Sequence, residues 1–261
     1  GRWEDFETYW SCAPWGRELL GQRVPRNGVY KSNTLSMAWT AEAMRRAHRA
    51  FGDRRYLSLA LRCAGELSLY QAVWDPRFLP ARAHGGFGVM NADSEWNDAR
   101  QSLFAPLYLD LYRATGDGEL FERGVAALRA SFSMLYAPEN EALRAAYEER
   151  FPFFGRESYG FMMENQGHGE GHPIGTFTIY TWGNGSALAA AASVWDRYGD
   201  VYVDPERRRA FAVDVTSVEV SGARVHVVEP FDRPSLTIAV EGGRRRTLAL
   251  RRGRGSFALP R

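Results

Sequence analysis

The feature that most constrains the fold of this chain is a Gly-Asp turn repeated between stretches of helical periodicity. The turn occurs at positions 52–53 and 116–117, and a weaker copy lies at 199–200 within residues 194–208. Glycine tolerates the positive φ angle that commonly ends a helix, and aspartate is a favoured cap for the helix that follows. The repeat therefore predicts a stack of about three antiparallel helical hairpins.

The flanking stretches have the periodicity that these hairpins require. In residues 34–51, apolar side chains recur at three- and four-residue steps while arginines occupy the opposite side. Such spacing is typical of a helix with one buried face. The same pattern predicts helices at 34–51, 54–73, 97–115, 117–136 and 184–198, after an irregular N-terminal arm at residues 1–30.

From about residue 213 the apolar pattern changes to a period of two. Val218 and Val220 precede a Ser-Gly turn, and alternating valines follow it; a second such pair flanks Gly242-Gly243. Alternation around short glycine turns is typical of β-hairpins. We expect a helical-hairpin domain at residues 1–212 and a small antiparallel β module of four or five strands at residues 213–261.

Composition argues against several classes of partner. The 33 basic and 31 acidic residues nearly balance, which disfavours a protein devoted to nucleic acid or to a membrane surface. The arginine-rich C-terminal strands lack the interleaved aromatics of a nucleic-acid platform. Cys12 and Cys63 fit no metal-ligand spacing and either pair or remain thiols. The chain starts at Gly1, so a cytoplasmic and an exported location both stay open.

Two long connections, roughly 75–96 and 137–183, carry most of the residues suited to chemistry. Because successive connections in antiparallel hairpins alternate between ends, both should lie opposite the turns at Gly52 and Gly116. Long connections rich in glycine, aromatics and polar residues are usually functional. We therefore expect the functional site where these two connections meet.

The first connection places acidic residues beside a tryptophan. In one interpretation, Asn97 or Asp98 caps the following helix and Glu95 is solvated near its N-terminus. In the second, one of these carboxylates faces a cavity as a general acid or base. Trp96 favours the second interpretation, because an indole beside carboxylates suits the apolar face of a sugar ring. The neighbouring residues predicted to bind substrate or orient the carboxylates are His84, Asn97 and Arg100.

The second connection contains a Gly-His-Gly-Glu-Gly-His-Pro run. Three glycines and Pro173 argue against a helix, so His168 and His172 are not expected to share a face, and we predict no metal and no cofactor. These histidines either hydrogen-bond the glycine loop or transfer protons. The other candidate residues in this connection and at its end are Tyr159, Glu164, Asn165, Gln166, Glu170 and Trp182.

Together, these features resemble the six-hairpin, (α/α)-toroid carbohydrate-active enzymes. The resemblance covers about residues 30–210 and depends on the Thr115-Gly116-Asp117 turn, the Gly-Gly-Phe loop at 85–87, tryptophan-rich loops and the terminal β module. It implies a mainly α fold, an (α/α) toroid of which about three hairpins are present. Either the chain is the C-terminal portion of a larger protein or the toroid is open. In both cases we expect an exposed apolar flank, which would be covered by self-association or by a missing N-terminal region.

That superfamily includes glycoside hydrolases, polysaccharide lyases and sugar epimerases, so the resemblance implies an oligo- or polysaccharide substrate. The leading hypothesis is a glycoside hydrolase with two carboxyl groups, in which Asp98 or Glu95 acts with Glu164 or Glu170. Trp96 and Trp182 would stack on sugars. The alternatives are a lyase using Tyr159 with a histidine, an epimerase using two histidines, and a non-catalytic glycan-binding or structural module.

Overall fold

The computed structural model describes residues 3, 21–23, 28–90, 96–163, 166, 180–229 and 231–260, with only the backbone described at 99, 100 and 180–182. Within these ranges the protein has six α-helices and seven β-strands. The helices are α1 (Thr34–Phe51), α2 (Arg54–Ser68), α3 (Phe104–Thr115), α4 (Gly118–Ala130), α5 (Glu141–Arg150) and α6 (Tyr180–Tyr198). Among them, none is both long and apolar enough to traverse a lipid bilayer.

The first two predicted hairpins are confirmed. Gly52 ends α1 with a φ of 72°, and Gly116 ends α3 with a φ of 77°. The carboxylates of Asp53 and Asp117 each accept a hydrogen bond from a backbone N–H in the first turn of the next helix. Each Gly-Asp pair thus ends one helix and starts its antiparallel partner.

The third predicted hairpin is wrong. Gly199 has a φ of 63°, as predicted for a helix end, but a β-strand follows it, β1 (Val201–Asp204). The segment Val-Tyr-Val favours a strand, and Pro205 would disrupt a helix interior. Asp200 caps no helix; its Oδ2 accepts the backbone N–H of Thr237 at 2.6 Å. The turn therefore joins the helices to the sheet.

Helix boundaries differ from the predicted ones where tertiary contacts intervene. Helix α2 ends at Ser68 instead of 73, and α4 ends at Ala130 instead of 136. The predicted helix 97–115 begins as a 3₁₀ segment (Ala99–Leu103) and is α-helical only from Phe104. Helix α5 lies inside the second long connection, where no helix was predicted, and it buries Leu143, Ala146 and Tyr147 at helical spacing.

The strands form two small sheets. The remaining strands are β2 (Arg209–Ala212), β3 (Ser217–Ser221), β4 (Arg224–Val228), β5 (Ser235–Val240), β6 (Arg246–Ala249) and β7 (Arg254–Ala258). One sheet has the order β2-β1-β5-β6 and the other β3-β4-β7. The predicted hairpins are confirmed, with Val218 opposite Val227 and Leu236 opposite Leu248.

Two features of the β region differ from the expectation. The strands start at Val201, well before residue 213. The expectation of purely antiparallel pairing is wrong for β1 and β5, which pair in parallel. This pairing arises because β1 leaves the last helix and joins the sheet beside a strand that arrives much later in the sequence. The division into two domains near residue 212 stays a prediction.

An aromatic cluster joins the helices to the four-stranded sheet. Phe121 of α4 is fully buried, and its ring centroid lies 4.2 Å from that of Phe211 in β2. Tyr112, Tyr198 and Tyr202 surround it at 5.2–5.5 Å. One hydrophobic cluster therefore contains residues from both the helices and the strands.

The helical layer has fewer hairpins than a six-hairpin ring. In the described part of the chain, two hairpins are followed by α5 and α6. The α1–α2 hairpin exposes large apolar side chains, including Trp39 (51% exposed), Phe51 (74%) and Leu59 (43%). These exposures agree with the expected apolar flank. Self-association and the closed or open state of a toroid stay predictions.

A buried carboxylate contributes polar contacts to the junction between helices and sheet. Asp204 is 1% exposed and accepts hydrogen bonds from the hydroxyl of Tyr112 (2.7 Å) and the guanidinium of Arg207 (2.8 Å). Burial alone would raise the pKa of Asp204, but these two hydrogen bonds outweigh it and hold the pKa below its usual range.

This shift predicts a pH dependence of stability. Because the folded pKa of Asp204 lies below the unfolded value of about 3.9, its contribution is present above about pH 4. It is lost as the pH falls through the lower folded value. We expect Asp204→Asn to unfold at lower urea concentration at neutral pH and to lose less stability on acidification than the parent chain. If Asp204→Asn and the parent chain lost the same amount of stability on acidification, this prediction would be contradicted. Asp232→Asn, which replaces an exposed carboxylate, is the control.

Candidate functional site

The two long connections meet at one end of the helical layer, which we call the loop end. It contains the N-termini of α1 and α3 and the C-termini of α2 and α4. The N–H of Thr34 bonds to the carbonyl of Val89 (2.9 Å), and the N–H of Asp98 to that of Phe87 (3.0 Å). The N–H of Gln166 bonds to the carbonyl of Asn97 at 3.0 Å. This last contact confirms that parts of both connections lie together, opposite the turns at Gly52 and Gly116.

Buried polar side chains are concentrated at the loop end. In the described ranges, the buried polar residues of the β region are Asp200, Asp204 and Glu229. Those at or next to the loop end are Lys31, Ser32, Asn33, Thr34, Gln71, Asn97, Asp98, Gln101, Ser102, Ser131 and Gln166, none more than 7% exposed. Burying so many polar groups costs free energy unless each is bonded, so this concentration marks the loop end as a candidate site.

Within the described part of the chain, several of these buried groups have polar atoms without a hydrogen-bond partner. They are Nδ2 of Asn33, Oε1 of Gln101, Oγ of Ser102 and both amide atoms of Gln166. Native proteins rarely leave buried donors and acceptors unpaired, and exceptions often mark a place where a ligand or a water completes the bonding. Gln166 was predicted to bind substrate; Gln101 and Ser102 were missed.

Asn97 links the two connections to α4. Its Nδ2 donates to the carbonyl of Ala130 (2.8 Å) and to Oγ of Ser133 (2.7 Å), and the residue is 1% exposed. Both protons of its amide are thereby used within the protein. The side chain holds the loop end together and has no amide proton left to donate to a sugar.

Asp98, the predicted general base, is fully buried. Its carbonyl accepts the N–H of Gln101 at 3.0 Å, which begins the 3₁₀ segment leading into α3. Asp98 also has a further interaction within the fold. A fully buried carboxylate is better placed to orient neighbouring groups than to touch a sugar.

An aromatic cluster flanks these polar groups. Trp96 is half-buried, and its ring centroid lies 5.6 Å from that of Trp74 and 6.0 Å from that of Phe78 in edge-to-face contacts. Trp74 is 54% exposed and Phe78 is 71% exposed. We call these three residues the aromatic platform. Trp96 was predicted to be part of such a surface, and its two partners were not.

Asp75 fixes the turn that carries the platform. Its Oδ1 accepts the backbone N–H groups of Ala83 (2.8 Å) and His84 (2.9 Å). The hydrogen bond from the His84 N–H, with that from Ala83, holds the pKa of Asp75 below its usual range. Sequence analysis missed Asp75, an exposed ionised carboxylate between Trp74 and Phe78.

An open cleft of about 940 Å³ runs beside the loop end. One face of α4 and the segment 132–140 form one side of it, and β2 with the start of β3 forms another. Of the predicted site residues, His84 lines this cleft, and Ser133 connects it to Asn97. Arg129 bridges its two sides by donating to the carbonyls of Val213 and Val215 at 3.0 Å.

The remaining predicted residues divide into two groups. Tyr159 is described: it is 39% exposed, and its ring lies 5.4 Å from that of Tyr136. Glu95, Glu164, Asn165, His168, Glu170 and His172 lie outside the described residues, as do the side chains of Arg100 and Trp182. Among the described residues, no three His, Cys, Asp or Glu side chains are grouped as metal ligands would be.

No family model matches the chain, and no curated protein matches it. Among solved structures, it is similar to a family 76 glycoside hydrolase from a bovine Bacteroides thetaiotaomicron strain, with 13% identity and a TM-score of 0.39. The match covers 73% of this chain and 40% of that structure, so this chain spans less than half of its length. A similarity of this size says nothing specific about catalysis.

Proposed function

We propose that the protein is a carbohydrate-active enzyme that cleaves a glycosidic bond at its loop end. The observation that carries the proposal is the aromatic platform at the loop end, where the exposed rings of Trp74 and Phe78 contact Trp96. A sugar presents an apolar face that stacks on aromatic rings and hydroxyls that exchange hydrogen bonds with amides. The cleft beside the loop end would hold the rest of an extended glycan.

Hydrolysis of a glycosidic bond requires two carboxyl groups, one donating a proton and one activating water or attacking carbon. We assign one to each long connection, because the contact between Gln166 and Asn97 brings these connections together. Glu164 or Glu170 would be the acid. Glu95 would be the second carboxyl group, since the buried Asp98 is better suited to orienting it.

A second candidate is β-elimination by a polysaccharide lyase, which Tyr159 favours. Its ring is 39% exposed beside Gly160, whose carbonyl accepts a hydrogen bond from Asn184 at the start of α6. A phenol in this position would exchange a proton with the sugar, together with His168 or His172. A lyase product carries an unsaturated uronide that absorbs in the ultraviolet, whereas a hydrolase product does not.

The first experiment is to incubate the protein with neutral and uronate-containing polysaccharides and to measure new reducing ends and ultraviolet absorption together. Reducing ends without the chromophore support hydrolysis, and both signals support the lyase. The absence of cleavage on every glycan, with binding retained, would leave a non-catalytic glycan-binding module and contradict the enzyme.

The aromatic platform can be tested by substitution. We expect Trp74→Ala and Trp96→Ala each to raise KM about tenfold, corresponding to about 1.4 kcal/mol of lost stacking, with a smaller effect on kcat. Trp39→Ala is the matched control, because Trp39 is similarly exposed (51%) on α1 but lies outside the platform. Equal KM values for all three variants and the parent chain would remove the platform from the site.

A further inference from the structure

The β region is much more basic than the rest of the chain. Residues 201–261 contain 12 arginines and 7 acidic residues, whereas the whole chain has a net charge of only +2. Arg207, Arg233 and Arg245 of this region form ion pairs with aspartates. Arg251, Arg252 and Arg254 form none within the described chain, and all three are exposed.

These three arginines surround a single tight turn, which we call the arginine hairpin (residues 251–254). The backbone N–H groups of Arg251 and Arg254 each donate to the carbonyl of the other, at 2.9 and 3.1 Å. Arg252 and Gly253 have φ angles of 51° and 72°. This is the geometry of a two-residue type I′ turn, in which Asn-Gly is strongly preferred.

Arginine at the first central position strains the backbone. Arg208 has the same φ of 51°, and its guanidinium donates to the carbonyl of Gly222 at 2.8 Å. In the described structure Arg252 makes no such bond, so no internal contact compensates for its conformation. A strained residue with no internal role is a reason to look for an external partner.

An exposed aromatic ring lies beside the hairpin. The N–H of Glu229 bonds to the carbonyl of Gly253 at 2.7 Å, which fixes Glu229 against the turn. Phe231 is 73% exposed, and its N–H donates to the Glu229 carboxylate at 3.0 Å. Glu229 is itself buried, so Asp232 is the exposed carboxylate of this segment.

We propose that the arginine hairpin and Phe231 form a second glycan-binding surface, specific for acidic polysaccharides. Guanidinium groups bind carboxylate and sulfate groups through paired hydrogen bonds, and a phenyl ring stacks on the sugar between them. We name a glycan instead of another polyanion because the protein is proposed to act on carbohydrates, so this inference rests on the proposed function. The surface belongs to elements other than those of the loop end, so it would hold a polymer near the catalytic site and raise its effective concentration there.

The test is binding of the whole protein to immobilised polygalacturonate at low salt, with an immobilised neutral polysaccharide as reference. The variant combines Arg251→Ser, Arg252→Asn and Arg254→Ser, because asparagine suits the positive φ at 252. The control combines Arg49→Ser, Arg54→Ser and Arg62→Ser, which removes the same charge from exposed positions on α1 and α2. Phe231→Ala tests the stacking ring.

We expect the hairpin variant to bind at least about tenfold more weakly, with a reduced salt dependence, and the control to bind like the parent chain. Phe231→Ala should weaken binding without changing the salt dependence. Equal losses in both triple variants, no binding by the parent chain, or equally tight binding to anionic vesicles or single-stranded DNA would each overturn the proposal. Cleavage without polygalacturonate binding contradicts only this inference, and binding without any cleavage contradicts only the enzyme.

Discussion

Replacing the glutamates proposed as the catalytic pair is expected to abolish most of the activity while leaving the fold intact. We expect Glu95→Gln to lower kcat at least about 100-fold, the low end for losing a general acid or base. We expect a loss of the same size from Glu164→Gln or from Glu170→Gln, depending on which of these two residues is the acid. A glutamine keeps the shape of the side chain but can neither deliver a proton nor activate water. Single-turnover measurements would separate this loss from slow product release.

The pattern across variants distinguishes the roles. Glu149→Gln, an exposed change on α5, is the control and should retain parental kcat. Asp98→Asn should lower both turnover and stability, because the buried carboxylate interacts within the fold. A loss of turnover alone in Asp98→Asn would make it the general base in place of Glu95. Near-parental hydrolysis in every glutamate variant would refute the paired-carboxylate mechanism, and an inactive Tyr159→Phe with an unsaturated product would establish the lyase.

The second large effect concerns stability. We expect Phe121→Ala to lower the free energy of unfolding by about 3–5 kcal/mol, the usual range for deleting a fully buried aromatic side chain. Its ring contacts Tyr112, Tyr198, Tyr202 and Phe211, so the cavity would open between the helices and the sheet.

Urea unfolding followed by far-ultraviolet circular dichroism and by near-ultraviolet circular dichroism, which reports on aromatic packing, measures this effect. Phe51→Ala is the control, because Phe51 is 74% exposed and its loss should cost little. A shared core also predicts that the two signals change at the same urea concentration. Separate transitions for helices and strands, or equal midpoints for Phe121→Ala and Phe51→Ala, would contradict the shared core.

The helical hairpins could be predicted because their signals are local. A glycine and a capping aspartate act within one turn of chain, and the structure has both at Gly52 and Gly116. The same dipeptide led to the wrong prediction of a third hairpin at Gly199, because a glycine that ends a helix does not indicate whether a helix or a strand follows. Val201 to Val203 and Pro205 carried the missing information.

The candidate site was only partly predictable for a different reason. Trp96 stands beside carboxylates in sequence, but Trp74 and Phe78 reach it only because Asp75 folds the intervening segment through Ala83 and His84. The unpartnered atoms of Gln101 and Ser102 depend on tertiary packing that no local pattern reveals. The signal available in the sequence was the pair Trp74 and Phe78, two aromatic residues near the start of the first long connection.

The parallel pairing of β1 with β5 has a consequence for how the chain acquires its structure. A helical hairpin can form outward from its turn, whereas every contact between β1 and β5 joins residues 37 positions apart, with three other strands between them in the sequence. Contacts so distant in sequence form slowly because the intervening loop must close first. During synthesis, the edge of β1 that pairs with β5 would remain unpaired until that strand leaves the ribosome. We expect refolding to show fast helix formation by far-ultraviolet circular dichroism, followed by slower protection of the β1 and β5 amides from hydrogen exchange, and a single phase in both signals would contradict this order.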